Sequence, residues 1–282
     1  MNFQDIVIAL QKFWVDNGCT IIHPIDTEVG AATFHYATML YALGTKPSNI
    51  VYIQSCRRPI DGRFAKNPNR IQCYYQLQVL LKPSPKKIQQ MAVNSIKQIG
   101  ITSNLHDIRF IHSDWENPTL GAFGMGWEIW CNGMEVMQFT YMQRLGGVLC
   151  KVISGEITYG LERLAMFSQN KNDIWDLIWD KQGITYRAIH EEKEKEYCKY
   201  NFQYANAGIL KQHFNDYEVM SKELLKNNLF HPSYDYCLKA SHIFNILDAH
   251  GSIGITERAC YINRVKNLVN ECCMKYSQFI KK

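Results

Sequence analysis

The chain has 282 residues, 46% of them hydrophobic and 12% aromatic, which is ample for a packed core and excludes wholesale disorder. Its net charge of +5 is mildly basic; contact with nucleic acid is permitted, but the concentrated basic face of a dedicated binder is missing. Ten cysteines are scattered, with only Cys272 and Cys273 adjacent, and no Cys-x-x-Cys or zinc-finger spacing occurs. They are therefore expected as reduced, mostly buried thiols. The N-terminus carries no signal-peptide pattern, and no apolar run approaches the ~20 residues that cross a bilayer. A soluble, cytoplasmic protein is expected.

In chain order, Phe3, Ile6, Val7, Leu10, Phe13 and Trp14 fall on one face of a helix that Gly18 stops. An extended segment, Cys19–Pro24, follows. Strands are predicted at Val51–Arg58, Gln72–Lys82, Ile108–His112, Trp127–Cys131, Met134–Tyr141 and Cys150–Ser154, with a helix over Lys87–Ile99. The mixed-sign run His190–Lys199 reads as a solvated segment. Periodic helices appear at Ile209–Leu225, Tyr234–Ala249 and Thr256–Ile280. The expected architecture is α+β, with an antiparallel sheet flanked by helices over residues 1–170 and a helical C-terminal domain over 171–282.

Two strands carry chemistry. VYIQSCRR (Val51–Arg58) and QCYYQLQVLLK (Gln72–Lys82) read as a hairpin whose loop is too long for a tight turn and holds Arg63, Lys66 and Arg70. Side chains alternate along a strand. Val51, Ile53, Tyr75, Leu77, Val79 and Leu81 should thus face the core. Tyr52, Gln54, Cys56, Arg58, Tyr74, Gln76 and Gln78 should line an open polar face, as in a ligand floor. Further on, SGEITYGLERLAM (Ser154–Met166) runs from a strand through Gly160 into a helix with Glu162 and Arg163 in its first turn. A planar guanidinium beside a helix N-terminus suits a phosphate.

These segments resemble the three motifs of class II aminoacyl-tRNA synthetases: the first helix and strand ending in Pro24, the arginine hairpin, and Gly160–Arg163. GAFGMGWEIWCNGMEVMQFTYMQRLGG (Gly121–Gly147), HPIDTEVGAATFH (His23–His35) and YDYCLKASHIFNILDAHGSIGITERACYI narrow the resemblance to the α subunit family of bacterial heterotetrameric glycyl-tRNA synthetases, over essentially the whole chain. Two departures stand out. Gly30–Thr33 reads GAAT where the family has GAGT, so Ala32 is expected to crowd a backbone turn slightly. Gln54–Arg58 reads QSCRR where the family has QPSRR, which leaves both arginines in place.

The resemblance implies ATP-dependent activation of glycine and its transfer to the 3′ end of tRNA(Gly). By it, Arg58 binds the α-phosphate, with Arg57 the rival that alternation disfavours. Arg63 and Arg70 embrace the phosphates, Tyr74 stacks on adenine, and Arg163 holds the γ-phosphate. Glu156 sits where alanyl enzymes place an amine-binding acid. Gln76, Gln78, Gln138 and Thr33 complete the implied glycine pocket, and Trp115, Trp127 and Trp130 with Thr33 are candidate walls against larger amino acids. Glu128 and Glu135 are the candidate Mg²⁺ carboxylates. A regular strand aims Glu135 away from Gln138, which ranks Glu128 ahead. The implied partners are a β subunit in an α2β2 enzyme, with most tRNA recognition in β, and a second α subunit. A different class II ligase, or a degenerate paralogue acting as a binding module, are the competing readings; retention of the arginines weighs against the latter.

Overall fold

A computed structural model describes residues 1–280. Helix α1 (Phe3–Asp16) buries Phe3, Ile6, Leu10 and Trp14, and the Asn2 side chain caps it by accepting the Asp5 N–H at 2.8 Å. Gly18, at φ 85°, turns the chain toward β1 (Thr20–Ile21). Short 3-10 turns and α2 (Tyr36–Met39) precede β2 (Ser48–Arg57) and β3 (Cys73–Lys82). Next come α3 (Ile88–Lys97), β4 (Ile108–His112), β5 (Trp115–Asn117), β6 (Ala122–Cys131), β7 (Met134–Leu145) and β8 (Val148–Gly160). The last elements are α4 (Leu161–Gln169), α5 (Tyr186–Lys199), α6 (Ala207–Lys226), α7 (Phe230–His250) and α8 (Ile255–Phe279).

The strands form one sheet in the order β1-β2-β3-β8-β7-β6-β4, with β5 beside β6. Only the β1–β2 edge is parallel. The predicted α+β sheet is therefore present, longer than expected at β6, β7 and β8. In β6 the glycines are forced by close approach: a Cβ on Gly124 would stand 2.6 Å from the Tyr141 carbonyl oxygen, and one on Gly126 2.8 Å from that of Phe139. Alternation patterns that depend on side chains lose their signal through such a stretch.

One face of the sheet, with Val51, Leu77, Val79, Phe139 and Ile157, packs against α1, α3 and α4. The other face, with Ile50, Tyr52, Leu80 and Met142, packs against residues 25–43 and α6–α8. The C-terminal helices thus share a core with the sheet rather than enclosing one of their own. Burial of apolar surface on both faces is the main stabilising term.

A buried polar relay crosses the first core. The Trp14 Nε1–H donates to the Tyr159 hydroxyl at 2.8 Å, which lies 2.8 Å from Ser95 Oγ, and Ser95 in turn donates to the Ala92 carbonyl at 2.6 Å. The relay ties α1 and α3 to β8. Tyr159→Phe leaves the indole N–H without a partner and is expected to lower stability by about 2 kcal/mol. Urea denaturation checks this; an unchanged midpoint would show that the relay is not stabilising.

The run His190–Lys199 is not a solvated segment. It forms the second part of α5 and buries Glu194 and Cys198. Glu194 accepts the Gln72 backbone N–H at 3.2 Å, just before β3. An acid satisfied by a main-chain donor can be buried, which charge counting does not register.

Candidate active site

Alternation places the polar residues correctly by face, but most of that face is covered. Tyr52, Gln54 and Cys56 are buried. The segment Ile25–Phe34 lies across them: Gln54 accepts the Ile25 N–H at 3.0 Å, and the Tyr52 hydroxyl donates to the Ala32 carbonyl at 2.8 Å. Ala32 also donates its N–H to Gln76 Oε1 at 2.8 Å. Ala32 is buried within a 3-10 turn and its φ is not positive, so no left-handed backbone requires a glycine there.

What remains open is a cavity of about 370 Å³ over the middle of the sheet. Arg58, Arg70, Tyr74, Gln76, Gln138, Glu135 and Arg163 all line it. Arg58 stands just past the end of β2, where its Nε donates to the Gly30 carbonyl at 2.8 Å and its guanidinium lies 5.2 Å from the centre of the Tyr74 ring. The Tyr74 hydroxyl donates to the same carbonyl at 2.7 Å. Arg70 is set by an Asx turn in the long loop, in which Asn67 Oδ1 accepts its N–H at 2.8 Å, and lies 3.7 Å from Asp61.

Arg163 stands in the first turn of α4, whose N-cap is Gly160. Its Nη1 donates to the Glu135 carbonyl at 2.8 Å and lies 3.3 Å from the Glu135 carboxylate. The neighbouring Glu162 also lines the cavity but is itself buried. It accepts the Tyr75 N–H at 2.8 Å and the Tyr186 hydroxyl at 2.9 Å, and burial pushes its carboxyl up to about 7.

Glu135 shares the cavity with Gln138 because β7 is not regular. Ile129 pairs with Met137 and Trp130 with Glu135, leaving Val136 as an extra residue. This bulge shifts Glu135 by one side-chain phase. Glu128, opposite Gln138 on β6, falls on the same face and accepts the Trp130 indole N–H at 2.8 Å. Burial raises the Glu135 carboxyl above the ordinary range, Arg163 opposes that, and the charge of Glu128 adds to it.

Other predicted residues lie elsewhere. Arg57 is in a second cavity, 3.8 Å from Glu28 and 4.8 Å from the Tyr197 ring centre, so of the two arginines only Arg58 lines the cavity over the sheet. Arg63 folds onto its own loop, donating to the carbonyls of Ile60 at 3.0 Å and Gly62 at 2.7 Å. Thr33, Gln78 and Glu156 lie one step beyond the cavity wall as a buried cluster, in which Thr33 donates to Glu156 at 2.5 Å. Burial pushes the Glu156 carboxyl up to about 7, partly offset by Thr33 and Gln78. Of the tryptophans, Trp115 lines the cavity, whereas Trp127 stacks on Phe139 on the opposite face. Asp61, Asn69 and Thr158 also line it and were not anticipated. Thr158 was legible only as the residue between Glu156 and Gly160 in the alternation of β8.

A family model described as glycyl-tRNA synthetase alpha subunit matches residues 3–281. The chain belongs to the glycyl-tRNA synthetase alpha subunit family. Two relatives from Rickettsia bellii, strains OSU 85-389 and RML369-C, each named glycine–tRNA ligase alpha subunit, are 49% identical over 280 residues. The alignments cover 98% of this chain and 97% of each relative. Among solved structures, the pyrrolysyl-tRNA synthetase of Desulfitobacterium hafniense aligns over 65% of this chain and 74% of that one, at 13% identity and a TM-score of 0.46. The arginines that line the cavity belong to the β2–β3 hairpin and to the strand–Gly160–helix turn. All ten cysteines are free. Among the described residues no helix is long and apolar enough to cross a membrane, and no group of three or more potential metal ligands occurs.

Proposed function

We propose that this chain is the glycine-activating subunit of glycine–tRNA ligase, joining ATP and glycine into glycyl-adenylate with release of pyrophosphate, then passing glycine to the 3′ end of tRNA(Gly). The observation that carries this reading is the convergence of Arg58, Arg70 and Arg163 on one cavity floored by Tyr74, Gln76 and Gln138 in a member of this family. A glycine carboxylate oxygen attacks the α-phosphorus and the bond to pyrophosphate breaks. No protein nucleophile is needed, so catalysis is alignment and charge stabilisation. Arg58 holds the α-phosphate, Arg163 and Arg70 hold the leaving phosphates, and Tyr74 carries the adenine. Glu156 receives the glycine ammonium, with Gln76, Gln78 and Gln138 around the carboxylate. Specificity rests on excluding a side chain, since a pocket gains nothing from a missing methyl.

Glu135 and Glu128 suit a hard divalent cation, which takes oxygen ligands from one or two carboxylates and from phosphates. Bound there, Mg²⁺ would neutralise phosphate charge. Glu135 itself orients Arg163 through its carbonyl and carboxylate. Glu135→Gln is expected to raise the Mg²⁺ concentration for half-maximal activity about tenfold; an unchanged Mg²⁺ dependence would remove Glu135 from the site.

The partners in this reading are a β subunit that supplies most tRNA contacts, a second α subunit and tRNA(Gly), in the cytoplasm. ATP–pyrophosphate exchange by the chain with its β subunit, against glycine, alanine and serine, tests the assignment. Glycine-dependent exchange supports it. Exchange with alanine in preference to glycine, or none with any of the three, would refute it.

A further inference from the structure

The loop that joins β2 to β3 carries Arg70 to the cavity, yet its shape is set from elsewhere in the chain. Phe64 and Ala65 have left-handed backbones, at φ 54° and 57°, which residues other than glycine adopt only under constraint. The constraint comes from α5 and the π turn that follows it, Tyr200–Tyr204. Cys198 is fully buried, and its Sγ accepts the Phe64 N–H at 3.2 Å and the Gln72 side-chain amide at 3.3 Å. Burial pushes the thiol up to about 11, so it keeps its proton and donates to Glu194 Oε1 at 3.7 Å. Glu194 in turn accepts the Gln72 backbone N–H, and Asn201 Nδ2 donates to Gln72 Oε1 at 2.6 Å.

One stretch of helix therefore holds both ends of the loop. At the entry, Gly62 approaches so closely that a Cβ there would stand 2.8 Å from Cys198 Sγ. The middle is held by the 3-10 turn Ile174–Asp176, where the Ile174 N–H donates to the Pro68 carbonyl at 2.8 Å and the Trp175 indole N–H to that of Asn67 at 3.1 Å. Asn67 is also the residue whose side chain accepts the Arg70 N–H. Arg70 itself is loosely held: its side chain is 58% exposed and lies 3.7 Å from Asp61. Where such a cation stands is decided by the backbone beneath it.

We propose that Cys198 and Asn201 are positioning residues for ATP, holding the β2–β3 loop through Phe64 and Gln72 so that Arg70 stands at the cavity before the nucleotide arrives. The inference rests on the reading above in which Arg70 holds the leaving phosphates. Neither Cys198 nor Asn201 lines the cavity, so each acts without touching the nucleotide. A loop ordered in advance spares binding the cost of ordering it. The residues assigned to glycine stand on β7, β8 and further along β3, so the effect falls on ATP.

The test is steady-state pyrophosphate exchange by the enzyme with its β subunit, comparing Cys198→Ala with Cys198→Ser. Alanine removes the acceptor of both N–H groups, whereas serine keeps a hydroxyl that accepts from them and donates to Glu194. Cys198→Ala is expected to raise the KM for ATP about tenfold while the KM for glycine stays within about twofold. Serine is expected to restore the ATP KM, and Asn201→Leu, which removes the donor to Gln72, to behave as Cys198→Ala. In an Arg70→Ala background, Cys198→Ala is expected to change the ATP KM less than about twofold, because residues that act through one contact are not additive. An ATP KM unchanged by Cys198→Ala would overturn the proposal, as would equal increases in both KM values, a serine as impaired as alanine, or an undiminished effect in the Arg70→Ala background. Should Cys198→Ala fail to fold, amide hydrogen exchange of the unaltered enzyme without ATP decides: the Phe64 and Gln72 amides are expected to be protected, and exchange there at the rate of open chain refutes a loop set in advance. An ATP KM unchanged by Arg70→Ala alone would instead refute the underlying reading of Arg70, so the two failures are distinguishable.

Discussion

Arg163→Ala is expected to reduce glycine-dependent pyrophosphate exchange about a thousandfold, the loss seen when a preorganised charge donor is removed from a reacting group. The side chain is 41% exposed and its carboxylate partner Glu135 38% exposed. A pair so open to water contributes at most about 1 kcal/mol to folding. The variant should therefore melt near the unaltered protein, which separates a catalytic loss from a structural one. Arg163→Lys keeps the charge but loses the planar fork, and is expected to recover only part of the rate. Exchange within about threefold of the unaltered enzyme would exclude Arg163 from phosphate binding.

Glu156→Gln carries the second large effect. If, as proposed, Glu156 receives the glycine ammonium, removing its charge is expected to raise the KM for glycine about a hundredfold, in the range for breaking a buried, hydrogen-bonded charge pair. Glutamine keeps the shape and an oxygen for the Thr33 hydroxyl. The direction of the pH effects follows from the raised carboxyl. Glu156 moves from its ordinary 4.5 up to about 7 by burial, so the folded state holds its proton more tightly than the unfolded chain. Its stability contribution is fully present below 4.5 and is lost as pH rises through about 7.

Two readouts result. At pH 8 the buried charge destabilises the fold, so Glu156→Gln is expected to melt no lower than the unaltered protein despite its loss of activity. For the unaltered enzyme, kcat/KM for glycine should rise with pH through about 7 as Glu156 ionises. Glu162, also pushed up to about 7, titrates in the same window. The Glu156→Gln comparison separates them, because Glu162 is unaltered in that variant. A rise of the same size in Glu156→Gln would assign the titration elsewhere.

Much of the site was legible because it is written in local pattern. Strand alternation put Tyr74, Gln76 and Gln78 on one face and chose Arg58 over Arg57, and β2 and β3 pair in the register that this requires. The strand–Gly160–helix turn placed Arg163 in a first helical turn, as observed. Periodicity also located the helices near both ends, because one-sided burial leaves a 3.6-residue signal. The long unusual segments that carried the family resemblance supplied what alternation lacks, namely which chemistry the face serves.

What failed to show in the chain was whatever depends on distant contacts. Alternation gives a face but not what covers it, so the burial of Tyr52, Gln54 and Cys56 under Ile25–Phe34 had no sequence signature. The bulge at Val136 adds one residue between Glu135 and Met137, and only pairing with β6 reveals that Glu135 turns toward the cavity it shares with Gln138. Glu194 reads as surface charge until a backbone donor from Gln72 meets it. The sequence by itself determined most of the elements, the polar face and the arginines at its edge, since these follow from side-chain chemistry and short-range periodicity. The tertiary structure decided which of them share a cavity, which are buried with raised pKa, and which threonine bonds which partner. Those properties arise from contacts between residues far apart in the chain, such as Thr33 with Glu156 and Gln78 with Thr158, and no local pattern encodes them.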